Sequence, residues 1–138
     1  MTGDSTRCVH SALDPEVTTG AVHTPIFQTS TYVQKDFADH LGYEYARGDN
    51  PTRNALQRAL AELESPHQPA HGFCFSSGMA AITTISQMLK QGDHVIACDD
   101  LYGGTVRLFD QIASRFGIET IYSPLKNGDL SNTIRENS

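Results

Sequence analysis

The chain has 138 residues and a formal net charge of −6, a size that allows one domain with a modest core. The acidic balance excludes a nucleic-acid surface, which needs clustered Lys and Arg against phosphates, and no apolar run approaches the roughly 20 residues of a membrane span. Residues 1–7 lack the apolar core of a secretory signal, so a soluble, cytoplasmic protein without membrane partners is expected. In chain order, residues 1–43 do not read as a self-contained unit. They hold Pro15, Pro25 and many Thr and Ser, and Thr24-Pro25-Ile26-Phe27-Gln28-Thr29-Ser30-Thr31-Tyr32 reads as extended with little around it to pack against. The Ile, Phe, Tyr and Val content of residues 1–43 favours lying on a partner over disorder. A turn-rich loop, residues 43–52, carries Tyr43, Tyr45 and Arg47.

Asn50 is placed to cap the next helix and Pro51 to open it. Ala55, Leu56, Ala59, Leu60 and Leu63 repeat at helical spacing through Glu64 as a packing face, and Ser65-Pro66 ends the helix. From Gly72 the pattern becomes regular: strand 72–75, helix 78–90, a turn at Gly92-Asp93, strand 94–98, helix 104–116 broken by Gly117, and strand 118–122. Alternation of this kind calls for right-handed crossovers and a largely parallel sheet. Residues 129–138 read as the start of a further helix. Cys8, Cys74 and Cys98 are odd in number and far apart, which fits neither a disulfide framework nor paired zinc ligands. Cys74 and Cys98 read as small buried residues of strands. The six histidines are scattered, and no metal site is assigned.

The stretch around which the chain is organised is Phe73-Cys74-Phe75-Ser76-Ser77-Gly78-Met79-Ala80-Ala81-Ile82, read as strand, tight turn and helix. The first N–H groups of such a helix have no carbonyl partner and sit at the positive end of its dipole, so a phosphate fits there. Ser76 and Ser77 are candidates to cap the helix or to donate to the anion, and Gly78 allows close approach. The same stretch also reads as an ordinary capped turn of an α/β protein. Ligands of open α/β sheets gather at the carboxyl ends of strands, where Ser77 and Tyr102 both fall. A tyrosine there can stack on a flat heteroaromatic ring, and Arg47 can grip a phosphate with two hydrogen bonds. Loop packing for Tyr102 and a solvated charge for Arg47 are the plainer alternatives. Neither a dinucleotide Gly-x-Gly-x-x-Gly fingerprint nor a Walker-type Gly-Lys-Ser/Thr occurs.

Tyr45-Ala46-Arg47 with Asn50-Pro51-Thr52-Arg53, then Ser76-Ser77-Gly78-Met79-Ala80-Ala81-Ile82, Gly92-Asp93-His94-Val95-Ile96 and Leu101-Tyr102-Gly103-Gly104-Thr105-Val106-Arg107-Leu108-Phe109 follow one another in a familiar order. In these motifs the chain, from about Thr18 onward, resembles the Cys/Met-metabolism family of pyridoxal phosphate enzymes. Gln57–Glu64 and Arg107-Leu108-Phe109 lean towards its cystathionine γ-synthase and γ-lyase branch. The resemblance implies an α/β fold, the N-terminal part of the fold-type I large domain, with an extended arm and loop over residues 1–50 and an incomplete cofactor-binding domain over 51–138. It implies pyridoxal 5′-phosphate as cofactor. Ser77, Gly78 and Met79 would bind its phosphate, Tyr102 would stack on the ring beside the reacting substrate as the catalytic candidate, and Tyr45 and Arg47 would reach the cofactor of a neighbouring subunit. It also implies self-association, a homotetramer in the family, and a small amino-acid substrate, which Glu44 and Arg107 are candidates to face. Two departures are Ala46, where Ser or Thr is frequent, and Val106, where Tyr is usual.

Pyridoxal phosphate chemistry needs a lysine that holds the cofactor as a Schiff base and moves protons. The lysines are Lys35, Lys90 and Lys126, and none stands in the family's lysine context, which the resemblance places downstream of Ser138. The expectation is therefore the N-terminal portion of a trans-sulfuration enzyme acting at the γ-carbon of sulfur or homoserine-derived amino acids, inactive as this chain alone. Within the family, sulfhydrylase and methionine γ-lyase activities are alternatives; outside it, a non-catalytic homologue that docks on full-length relatives.

Overall fold

In the computed structural model, which describes residues 3–124, 130 and 133–138, contacts gather the chain into two units, Met1–Cys74 and Phe75–Ser138. The first holds α1 (Asp4–His10), an antiparallel pair β1 (Gln34–Asp36) and β2 (Asp39–His40), and α2 (Pro51–Glu64). Neither α1 nor the β1/β2 pair is foreshadowed by periodicity, both being too short to show one. α2 begins and ends as expected. Asn50 is extended (φ −150°), and its side-chain oxygen accepts the N–H groups of Thr52 (2.9 Å) and Arg53 (3.3 Å). Pro51 occupies the first helical position, where its missing donor is no loss.

The same helix end anchors the arm. Thr52 Oγ1 donates to the Pro25 carbonyl at 2.7 Å and accepts the Phe27 N–H at 2.9 Å, while Asn50 Nδ2 donates to the Phe27 carbonyl at 3.1 Å. Within the stretch 24–32 only Thr31 takes part in β pairing, an isolated antiparallel bridge to Tyr45. The apolar stripe of α2 has helical spacing but is not packed: Leu56, Leu60 and Leu63 are all exposed, and no α2 residue is buried. The sequence specified a face whose cover is not among the described residues.

In the second unit β3 (His94–Cys98) and β4 (Glu119–Ser123) form a parallel pair, in register from His94 opposite Glu119 to Cys98 opposite Ser123. α3 (Gly78–Ser86) precedes them, and α4 (Gly103–Arg107) opens the crossover. The crossover continues as a π-helical turn, Leu108–Ile112, and a 3₁₀ turn, Ala113–Phe116. It stops at Gly117, whose φ of +74° suits glycine. Phe109, Ala113 and Ile118 form the buried core, with Ile82, Leu89 and Val95 packed against it.

Four expectations are corrected. Residues 72–75 are not a strand: a strand needs a neighbour to pair with, and among the described residues no strand pairs with this stretch. The Cys74 N–H goes instead to Gln57 Oε1 at 3.0 Å. Cys74 is thus half-buried outside any strand, while Cys98 is half-buried within β3. α3 stops four residues short of position 90. Thr84 Oγ1 and Ser86 Oγ donate back to the Ala80 and Ile82 carbonyls, both at 2.8 Å, a contact that weakens and bends helices. The expected helix 104–116 changes pitch twice, as described above. Finally, Thr133–Ser138 form turns, not a helix; Asp129, Ser131, Asn132 and Lys126 lie outside the described residues.

Those turns close one end of the parallel pair. Flanking β3 on either side, Asp93 and Asp99 bond to β4, through Glu119 N–H to the Asp93 carbonyl (3.1 Å) and Asp99 N–H to the Ser123 carbonyl (3.2 Å). The His94 N–H points to the opposite edge and donates to the Asn137 carbonyl at 2.7 Å. Asn137 Nδ2 donates to the Gly92 carbonyl (2.6 Å), and Arg135 pairs with Glu119 at 2.8 Å.

Candidate cofactor site

Ser77 caps α3. It is extended (φ −157°, ψ 158°), and its Oγ accepts the Ala80 N–H at 3.1 Å. A hydroxyl that accepts in this way keeps its own O–H free to donate. Gly78 and Met79 are the first two helical residues, before the intrahelical ladder begins, and neither N–H reaches an acceptor among the described residues. Two unused donors, a hydroxyl and the positive end of a nine-residue helix converge on an exposed surface at Ser77 and Gly78. No acidic residue lies in the first turn of α3 to oppose an anion.

Beside this turn stands the start of α4. The Tyr102 ring lies over Gly104, and a Cβ added at Gly104 would collide with that ring and come within 3.2 Å of Met79 Sδ. Thr105, buried, donates from Oγ1 to the same sulfur at 3.7 Å. Glycine at 104 thus permits the ring, the sulfur and the two helix starts to share one place. Tyr102 remains 71% exposed, with an aromatic face open to a ligand. The Arg107 guanidinium folds back over Gly103, so it too lies at the head of α4.

Tyr45 and Arg47 belong to the first unit and are described within it. Ala46 N–H donates to the Ser30 carbonyl (2.8 Å) and Tyr32 N–H to the Glu44 carbonyl (3.1 Å), which pairs the loop with the arm. Tyr32 and Tyr43 pack with ring centroids 5.4 Å apart. The N–H groups of Gly48 and Asp49 both turn back to the Tyr45 carbonyl at 3.0 Å. The Arg47 guanidinium sits 4.7 Å from the centre of the Tyr45 ring, a cation–π contact, and both side chains are exposed, as is Glu44.

Elsewhere, two groups depart strongly from their usual ionisation. Burial, then a hydrogen bond to Asp110 Oδ1 at 2.7 Å, pushes the Tyr122 hydroxyl up to about 12. The N–H groups and hydroxyl of Thr18 and Thr19 hold the Glu16 carboxylate down at about 2. Among the described residues no group of three or more His, Cys, Asp or Glu could hold a metal ion, and no helix is long and apolar enough to cross a membrane.

Three residues with evident work in these sites stood within the quoted motifs but were assigned no role from the sequence. Arg53 donates to the carbonyls of Ala46 (2.9 Å) and Gly48 (2.8 Å). Thr105 and Gly104 fix the contact of α3 with α4. The only signal for Arg53 was its place in the Asn50-Pro51-Thr52-Arg53 motif; that for Gly104 was its standing second in a Gly-Gly pair.

The model of the Cys/Met metabolism PLP-dependent enzyme family matches residues 5–138. A probable cystathionine γ-synthase from Herpetosiphon aurantiacus is 54% identical over 116 residues, 84% of this chain and 35% of that protein. A cystathionine γ-lyase from Bacillus subtilis is 43% identical over 134 residues, 96% of this chain and 35% of that protein. The crystal structure of cystathionine γ-lyase from Lactobacillus plantarum complexed with L-serine superimposes with a TM-score of 0.84 at 34% identity, covering 99% of this chain and 35% of that one. The chain therefore spans about a third of the length of these relatives. The expected fold is borne out as a partial α/β domain of the kind found in these enzymes. With nearly its whole length matched, the chain belongs to the Cys/Met metabolism family of pyridoxal phosphate-dependent enzymes.

Proposed function

We propose that this chain is the N-terminal portion of a trans-sulfuration enzyme of the cystathionine γ-synthase or γ-lyase type, and that its part in the reaction is to seat the cofactor. The observation that carries this reading is the pairing of unused N–H groups at Gly78 and Met79 with an open Tyr102 ring beside Met79. Pyridoxal phosphate has a dianionic phosphate on a flat heteroaromatic ring, and these residues present a donor set and a stacking face that suit the two parts. When bound, the group supplies an electron sink for a carbanion next to the substrate nitrogen.

The chain's own residues then have distinct roles. Gly78 and Met79 bind phosphate oxygens through backbone N–H, and Ser77 donates its free O–H to the same group. Tyr102 covers one ring face and orients the ring for a small sulfur or homoserine-derived amino acid. Tyr45 and Arg47 serve the phosphate of a neighbouring copy, with the guanidinium as a two-pronged donor. Glu44 and Arg107 face the substrate. Lys90 is unsuited to hold the cofactor by its aldehyde. It precedes β3 whereas Tyr102 follows it, and five strand residues separate the two ends by roughly 16 Å. On this reading, with Lys35, Lys90 and Lys126 all outside the family's lysine context, the 138-residue chain by itself is a binding portion without turnover.

Gly78→Pro provides the test. Proline suits a first helical position and its extended predecessor Ser77, and a Cβ there meets nothing within 4 Å, so the variant deletes one N–H while sparing the helix. The chain should bind pyridoxal phosphate more tightly than pyridoxal, and Gly78→Pro should reduce that preference by about tenfold, the scale of a hydrogen bond to a charged group. Borohydride trapping with peptide mapping identifies adducts on surface lysines. Equal affinity for the two compounds, or an unchanged preference in Gly78→Pro, overturns the reading.

A further inference from the structure

We infer that Arg53 is the positioning residue for Arg47: its guanidinium fork holds the carbonyls on either side of Arg47 and so fixes where that side chain points. The inference rests on the reading of Tyr45 and Arg47 as phosphate contacts only for its consequence, since the clamp itself is a matter of geometry within one unit. Arg53 Nη1 donates to the Ala46 carbonyl at 2.9 Å and Nη2 to the Gly48 carbonyl at 2.8 Å. One planar group therefore grips the residues immediately before and after Arg47. The loop supplies the matching shape, because the Gly48 and Asp49 N–H groups both fold back on the Tyr45 carbonyl and turn the two free carbonyls towards α2.

Arg53 is itself held. Its backbone N–H is capped by Asn50 Oδ1 at 3.3 Å, in the first turn of the well-formed α2, and its side chain is half-buried. A capped helix end thus projects a planar fork onto the loop, adding to the bonds that pair the loop with the arm, while Arg47 stays exposed with its guanidinium over the Tyr45 ring. An exposed arginine pays side-chain and loop entropy when it binds an anion, and a loop fixed beforehand reduces that penalty. Lysine cannot replace Arg53: its single ammonium lacks the two-pronged geometry needed to span both carbonyls.

The test uses the full chain and three variants, Arg53→Lys, Arg53→Gln and Arg53→Ala. Trypsin cleavage of the Arg47–Gly48 bond, followed by mass spectrometry of the peptide ending at Arg47, reports how often the loop opens. Far-UV circular dichroism checks that α2 persists. Losing the fork should speed that cleavage by about tenfold in all three variants, the scale of hydrogen bonds to a charged group. Guanidinium ion at tens of millimolar should restore protection in Arg53→Ala, and the same concentration of ammonium should not. Cleavage unchanged in Arg53→Lys and Arg53→Gln, or accelerated equally at sites throughout the first unit, overturns the clamp. A second arm measures protection of the same bond by pyridoxal phosphate. Its failure in the unsubstituted chain counts against the cofactor reading alone, since the ligand-free cleavage rates decide the clamp.

Discussion

The Tyr102 ring rests on Gly104, in a space that no other residue at position 104 leaves open. Gly104→Ala should therefore push the ring off its seat beside Met79 and weaken pyridoxal phosphate binding by about tenfold, the scale of a lost aromatic stack. The measurement is cofactor affinity by fluorescence titration, alongside inorganic phosphate as a ring-free competitor. Affinity for inorganic phosphate should be unaltered, because the N–H groups of Gly78 and Met79 are untouched.

Position 77 separates capping from anion binding. Ser77→Ala removes the acceptor for the Ala80 N–H and should lower stability by about 1 kcal/mol in a urea titration. Ser77→Asp retains a good cap, so stability should recover. Its carboxylate would stand where the phosphate is expected, however, and the preference for pyridoxal phosphate over pyridoxal should disappear.

Tyr122 makes the second unit sensitive to alkali. Its ionisation lies at about 12 in the folded chain, above the ordinary 10.0, with burial the larger cause and the Asp110 hydrogen bond next. The protonated form is thus favoured by the fold. Its stabilising contribution is complete below pH 10 and is lost as pH rises from 10 through about 12. Alkaline denaturation should shift accordingly, and Tyr122→Phe should flatten the loss over that window. An unchanged pH profile in the variant would show that Tyr122 contributes nothing to it.

Exposed leucines forecast how the isolated chain behaves. Leu56, Leu60 and Leu63 lie one helical turn apart on α2, all open to solvent, and among the described residues none of the first unit and few of the second are buried. Surface of that kind promotes association. The chain should bind a hydrophobic dye, run as mixed species on size-exclusion chromatography and melt without a sharp transition. Leu56→Gln with Leu60→Gln should reduce dye binding while leaving the helix signal intact. A monodisperse monomer with a cooperative melt would contradict this.

What the sequence disclosed, and what it withheld, divides by range of interaction. The start and end of α2 were legible because Asn50, Pro51 and Ser65-Pro66 act on their own neighbours. β3 was legible as five apolar-rich residues after a Gly-Asp turn, and β4 to within one residue. Ser77 at the head of α3 was equally local. The failures all depend on something distant or on geometry without a periodic signature. Residues 72–75 have a strand's composition but no paired neighbour among the described residues. α3 ends early because two hydroxyls turn inward to their own helix. The crossover keeps a helical hydrophobic spacing while its pitch widens and then tightens. In the candidate sites, the residues proposed to touch a ligand were named by motif. The residues that hold them, Arg53, Gly104 and Thr105, act on backbone or on one sulfur, and composition carries no mark of that.

The hydrogen bond from His94 to Asn137 has one more implication. It occupies the first rung on the outer side of β3, the side that β4 leaves vacant. A further strand pairing along the whole of that edge would have to displace Asn137 from the His94 rung, so full enlargement of the sheet there is a competition with a latch already in place. The threshold for that exchange resides in the final turn, where Arg135 also grips Glu119.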